Sequence, residues 1–142
     1  MILYDTRITS TFSGACNRDS YYQSSRDGAQ AQYRLPFDVI QDILNAKRLI
    51  ISEYQGNSLR AIDRDTRIAS TIARNIVSPR FMTQATNGDI YLTAGHGIYK
   101  YNYKLSITEL VVGSSTNQGY FDVGLDESRF YNPYGLIQLK GI

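Results

Sequence analysis

Short runs of alternating apolar and polar residues recur along the chain, and no stretch sustains the 3.6-residue period of an amphipathic helix. Leu59-Arg-Ala-Ile62 and Gly97-Ile-Tyr-Lys-Tyr101 alternate as half-buried strands do. Arg48-Leu-Ile-Ile-Ser52 and Asp89-Ile-Tyr-Leu-Thr93 are continuous β-branched and aromatic runs, entered through turn residues at Asn45 and Asn87-Gly88. Val39 to Ala46 comes nearest to helical spacing, but it is short and coincides with a repeated segment, so it too is expected to be strand.

The pattern repeats in three interleaved registers, the signature of a repeat architecture. Pro36-Phe-Asp-Val-Ile-Gln41, Pro79-Arg-Phe-Met-Thr-Gln84 and Pro133-Tyr-Gly-Leu-Ile-Gln138 use all three prolines, each five residues before a glutamine. Asp5-Thr-Arg-Ile-Thr-Ser-Thr11 recurs as Asp65-Thr-Arg-Ile-Ala-Ser-Thr71 and more loosely as Ser106-Ile-Thr-Glu-Leu-Val-Val112, with Gly113 matching Gly14. Asp27-Gly-Ala-Gln-Ala-Gln-Tyr33 and Gly124-Leu-Asp-Glu-Ser-Arg-Phe130 each lead into a proline segment.

Each unit therefore reads as four strands: a after the proline, b the apolar run, c the alternating run, and d the Thr/Ser/Ile run. Proline lacks an N–H and is tolerated at the first residue of a strand, which is where this order puts it. Its spacings of 43 and 54 residues suit a propeller blade. The expected fold is all-β: four-stranded antiparallel blades, a little under three of them, in an incomplete ring. Residues 1–13 would end one blade, 14–73 and 74–113 form two more, and 114–142 supply an inter-blade segment and the first strand of the next. Phe37, Phe81 and Tyr134 are expected to be at least half buried at the blade junctions.

Ile50-Ile-Ser-Glu-Tyr-Gln-Gly-Asn-Ser-Leu-Arg-Ala-Ile-Asp63 resembles the core of the NHL repeat, where an apolar strand runs through an acidic residue and a Gly-Asn turn into an alternating strand. Gly119 to Leu136 is similar to that family's inter-blade segment, with its acidic-Ser-x-Phe-x-x-Pro-x-Gly pattern, and Gly28 to Val39 is a looser copy. The likeness covers nearly the whole chain. It departs at Thr93-Ala-Gly-His-Gly97, which replaces the acidic-x-Gly-Asn turn, and at Asp38, where the family usually has Gly. The resemblance implies a β-propeller. Related catalytic propellers use several His for zinc, or Glu, Asn and Asp from several blades for a divalent cation.

Composition narrows the chemistry. Leu, Ile, Val and Phe make up about a quarter of the 142 residues, enough for a real core. Tyr is abundant, with 12 copies, and suits pleated faces with a wet edge. The net charge of +2 is mild and the basic residues are scattered, so no polybasic tail is present. Cys16, in the long connection beside Gly14, is the single cysteine, which excludes an intrachain disulfide and a CxxC metal site. With no apolar run approaching ~20 residues and no signal-peptide pattern at MILYDTR, a cytoplasmic protein without membrane contact is the default.

His96 is the single histidine, so one chain cannot assemble a multi-His zinc site. No Gly-x-Ser-x-Gly elbow or phosphate loop occurs, and Asp5, Glu53, Asp63 and Asp65 fall at repeat positions where turn capping explains them. No catalytic residue, metal or cofactor is assigned. In a blade the d–a and b–c loops emerge on one face, which here would carry Tyr21, Tyr22, Arg26, Tyr54, Asn57, His96 and Tyr120, with Asn117 and Phe121 beside them. Aromatics with a few arginines are the ingredients of a protein-binding hot spot, and they equally serve to cover blade junctions. The expected function is a non-catalytic propeller scaffold that docks a protein partner on this face. The alternatives are a single-stranded RNA binder, using Arg34, Arg60, Lys100 and Arg129 with stacking aromatics, and a metal-dependent lactonase or lyase. The bare ends of such an incomplete ring are expected to be closed either by the rest of a longer polypeptide or larger assembly, or by self-association, in which two copies joined head to tail would complete a six-bladed ring.

Overall fold

The computed structural model describes residues 10–14, 25–122, 124 and 127–139. Eight strands follow one another: β1 (Pro36–Gln41), β2 (Arg48–Glu53), β3 (Ser58–Asp63), β4 (Ala69–Arg74), β5 (Pro79–Gln84), β6 (Ile90–Ala94), β7 (His96–Asn102) and β8 (Ile107–Ser114). They form two four-stranded antiparallel sheets, β1-β2-β3-β4 and β5-β6-β7-β8, each in sequence order. Among the described residues there is no helix, and the sheets close into no barrel or ring.

The eight strands stand close to where the alternation places them, and the departures have local causes. Asp65 to Arg67 belong to a turn rather than to β4, because Asp63 Oδ1 accepts from the N–H groups of Asp65 (3.0 Å) and Thr66 (2.7 Å) and the chain reverses at Arg67, φ 60°. The second sheet builds the same turn with Asn102, whose Oδ1 accepts from Lys104 and Leu105 before Ser106 at φ 55°. Val39 to Ala46 is only half strand: β1 ends at Gln41, and Asp42 Oδ1 then accepts from the Leu44 N–H in a turn.

Proline opens β1 and β5, whereas Pro133 begins an unpaired segment running to Leu139. All three prolines share an entrance. The residue before each, Leu35, Ser78 and Asn132, has φ of 51°, 50° and 48°. That region is uncommon for any side chain, and the α region is disfavoured before proline, so three such entrances mark three equivalent backbone positions.

The larger core cluster lies between the sheets, and a smaller one of Ala31, Ile62 and Ala69, flanked by Tyr33 and Ile51, is buried on the other side of the first sheet. Ile50 and Leu59 of the first sheet and Ile90 and Leu92 of the second are fully buried in one cluster with Ile76, Met82 and Tyr101. Burial of each such side chain stabilises the fold by about 1.5–3 kcal/mol. Polar groups stitch the same interface: Asp38 Oδ2 accepts from the Met82 N–H at 2.8 Å, and the Ser52 hydroxyl donates to the Arg80 carbonyl at 2.5 Å. At the other end of the strands, Asp42 is withdrawn from solvent and receives Arg48 (2.9 Å), Tyr103 (3.1 Å) and Gln84 (3.1 Å). Two of those donors come from the second sheet, so this network locks one sheet to the other.

Candidate binding surface

The turn between β2 and β3 and the turn between β6 and β7 have the same task. Asn57, at φ 50°, accepts from the Ser78 N–H through Oδ1 (2.9 Å) and from the Ile76 N–H through its carbonyl (3.1 Å). In the second sheet the hairpin reverses at Gly95 with φ 54°, the first central position of a tight hairpin turn, where a Cβ would collide with the Ser115 carbonyl. His96 follows, and its Nδ1 accepts from the Asn132 N–H at 3.2 Å, which leaves Nε2 to carry the proton of a neutral ring. Each hairpin thus holds the residue that precedes the next proline, and brings the b–c and d–a loops to one end of the sheets.

This grip sets an aromatic file across the three proline segments. Phe37 and Phe81 meet edge to face at 5.2 Å, and Phe81 and Tyr134 lie 6.0 Å apart. Tyr54 adds a ring 5.9 Å from Phe37. The Arg80 guanidinium sits between the rings of Tyr54 (5.3 Å) and Tyr134 (5.9 Å) and donates to the Gly95 carbonyl (3.0 Å) and Asn132 Oδ1 (3.1 Å). A second file runs from His96 through Tyr131 to Tyr120, with 6.0 Å between successive rings. Tyr120 is 85% exposed, and Phe121, Tyr131 and Tyr134 are exposed with it.

Beneath this end lies a buried ion pair, Glu53 with Arg60 at 3.1 Å. Glu53 also accepts from Ser25, Ser58 and the Arg34 N–H, and Arg60 donates to the carbonyls of Arg26 and Gln32 and pairs with Asp27. Together they tie residues 25–34 to the first sheet. Tyr33 lies under the Arg60 guanidinium at 5.0 Å, and burial pushes its hydroxyl above the ordinary tyrosine value.

Tyr54, Asn57, His96 and Tyr120 therefore share one end of the molecule. Arg26 contributes backbone to the Arg60 network, and its side chain joins neither aromatic file. Tyr21 and Tyr22 lie outside the described residues, as does Cys16. Glu53 is not a turn cap; it is buried because Arg60 needs its charge. Of the four cations considered for RNA, Arg60 is withdrawn from solvent and Lys100 pairs with Glu109 at the surface. Tyr134 is 62% exposed and not buried at a junction, although its ring lies against Phe81 and Arg80. Tyr131, Asn132 and Arg80 were not singled out from sequence. The signal for two of them was there in Phe130-Tyr-Asn-Pro-Tyr134, where aromatics crowd a proline.

No family model matches the chain, and no curated protein does. Among solved structures, an auxiliary nutrient binding protein from Bacteroides thetaiotaomicron is similar at 13% identity with a TM-score of 0.45. The match covers 71% of this chain and 36% of that one, so this chain spans about a third of that structure's length.

Proposed function

We propose that the chain is a non-catalytic scaffold of propeller-type blades, of the kind the NHL repeat resembles, and that it docks a protein partner on the loop end. The reading rests on one observation above all: the Tyr120–Tyr131–His96 file stands out from the surface while its inner member is fixed by the Asn132 backbone. Tyr rings offer a large contact area with little side-chain freedom to lose, and rings already held in a stack lose less still. The buried Arg80 donates to Asn132 Oδ1 and so holds the loop that carries Tyr131.

The test is affinity capture coupled to crosslinking, with wild-type protein compared against Tyr120→Ala/Tyr131→Ala. A specific partner lost with the double variant, at unchanged melting temperature, supports the reading. Retention of every captured partner overturns it.

A further inference from the structure

We propose that the outward face of the first sheet is an association surface for a second copy of this chain, and that the outward face of the second sheet occupies it. The interface between the two sheets within one chain supplies the argument. The Asp38 N–H bonds the Ser52 hydroxyl, and the Phe81 N–H bonds the Thr93 hydroxyl, so Asp38 matches Phe81 and Ser52 matches Thr93. Strand pairing carries the match outward: Leu49 faces Ile62 as Ile90 faces Tyr101, and Ser52 faces Leu59 as Thr93 faces Ile98.

With that register, the surface the second sheet buries against the first has a counterpart on the first sheet itself. Met82, Ile90, Leu92 and Tyr101 are buried between the sheets. Their matches are Val39, Leu49, Ile51 and Ile62, on the opposite side of the first sheet from the core. Val39, Leu49 and Ile51 line a groove of about 380 Å³ with Phe12 and Tyr33, while Ile62 at its base is already buried against Ala31 and Ala69. Val39 is 55% exposed within it. The reverse also holds. Ile50 and Leu59, which the first sheet contributes to the core, match Tyr91 and Ile98, which are only half buried on the outward side of the second sheet. The groove therefore matches a face of this repeat position by position, and the chain carries such a face, half buried among the described residues, at its other end.

A contact of this kind joins two different patches, so copies associate head to tail and end in a closed ring or an open chain. Neither patch contains Tyr120 or Tyr131, so the assembly stands or falls independently of the loop-end reading, and Tyr120→Ala/Tyr131→Ala should leave the particle mass unchanged. The experiment is light scattering with sedimentation over a dilution series of the full chain. A mass of at least two 16.1 kDa chains is expected. Val39→Asp should shift it to monomer, and so should Tyr91→Asp on the other face. Because each variant keeps the patch the other lacks, their mixture should form a one-to-one pair and nothing larger. Circular dichroism checks folding, and Val39→Gln replaces Val39→Asp if the latter does not fold. A wild-type chain that is monomeric at every concentration overturns the proposal, as does an assembly untouched by both substitutions.

Discussion

The Glu53 carboxylate meets the Arg60 guanidinium at 3.1 Å with both side chains fully withdrawn from solvent. Charges so placed are costly to separate, because a buried ion left alone loses its partner without regaining water. Glu53→Ala should destabilise the fold by about 3–5 kcal/mol. Glu53→Leu/Arg60→Met should recover much of that loss, since it leaves no charge behind. Urea unfolding of both variants checks it; a cost below 1 kcal/mol for Glu53→Ala would mean Asp27 and the carbonyls suffice for Arg60.

Leu35 is held at φ 51° before Pro36, with its side chain 40% exposed. A leucine in that conformation costs about 1–2 kcal/mol that glycine does not. Leu35→Gly gives back part of this through the freedom it adds to the unfolded chain, so a net stabilisation of about 0.5 kcal/mol is expected. Ser78→Gly should gain less, and Asn132→Gly should lose stability, because Asn tolerates this region best and its Oδ1 accepts from the buried Arg80. Thermal melts measure the series, and a loss for Leu35→Gly contradicts it.

Phe81 is the middle ring of its file, touching Phe37 at 5.2 Å and Tyr134 at 6.0 Å. It is half buried, so Phe81→Ala should cost about 2 kcal/mol, less than the 3–5 kcal/mol of a fully buried phenylalanine. The near-ultraviolet dichroism should weaken as well, because the Tyr134 ring loses its neighbour.

Burial pushes the Tyr103 hydroxyl above its ordinary value of 10.0, with Asp42 adding to the rise and Arg48 opposing it. A folded-state value above the unfolded one means stability is fully present below pH 10 and is lost as the pH climbs through the higher folded value. Tyr103→Phe should therefore flatten the alkaline limb of stability against pH. Absorbance titration should show Tyr103 and Tyr33 ionising above the ordinary tyrosine value. Ionisation of all in one step at the ordinary value argues against the network around Asp42.

Gly14 and Gly113 were paired on sequence alone, and they do share a geometry: φ of 100° and 95°, each with an aromatic ring, Tyr33 or Phe130, against the bare Cα. That match was legible because glycine at positive φ and a ring three residues before proline are both local, one-residue choices. Strand identity was legible for the same reason, since period-two alternation is written into each run whatever surrounds it. The sequence could not say that Arg60 and Glu53 lie inside, because an alternating strand places a charge on one face without saying what will cover that face. Residues 25–34 cover it, from 19 to 34 positions away. Nor could it say that Tyr54 and Tyr134 would enclose Arg80, as three separate loops must converge before those rings meet. Repetition along the chain determined the strands and their order; which polar side chains were buried and which aromatics stayed exposed depended on contacts between distant segments, and those exist only once the sheets have packed.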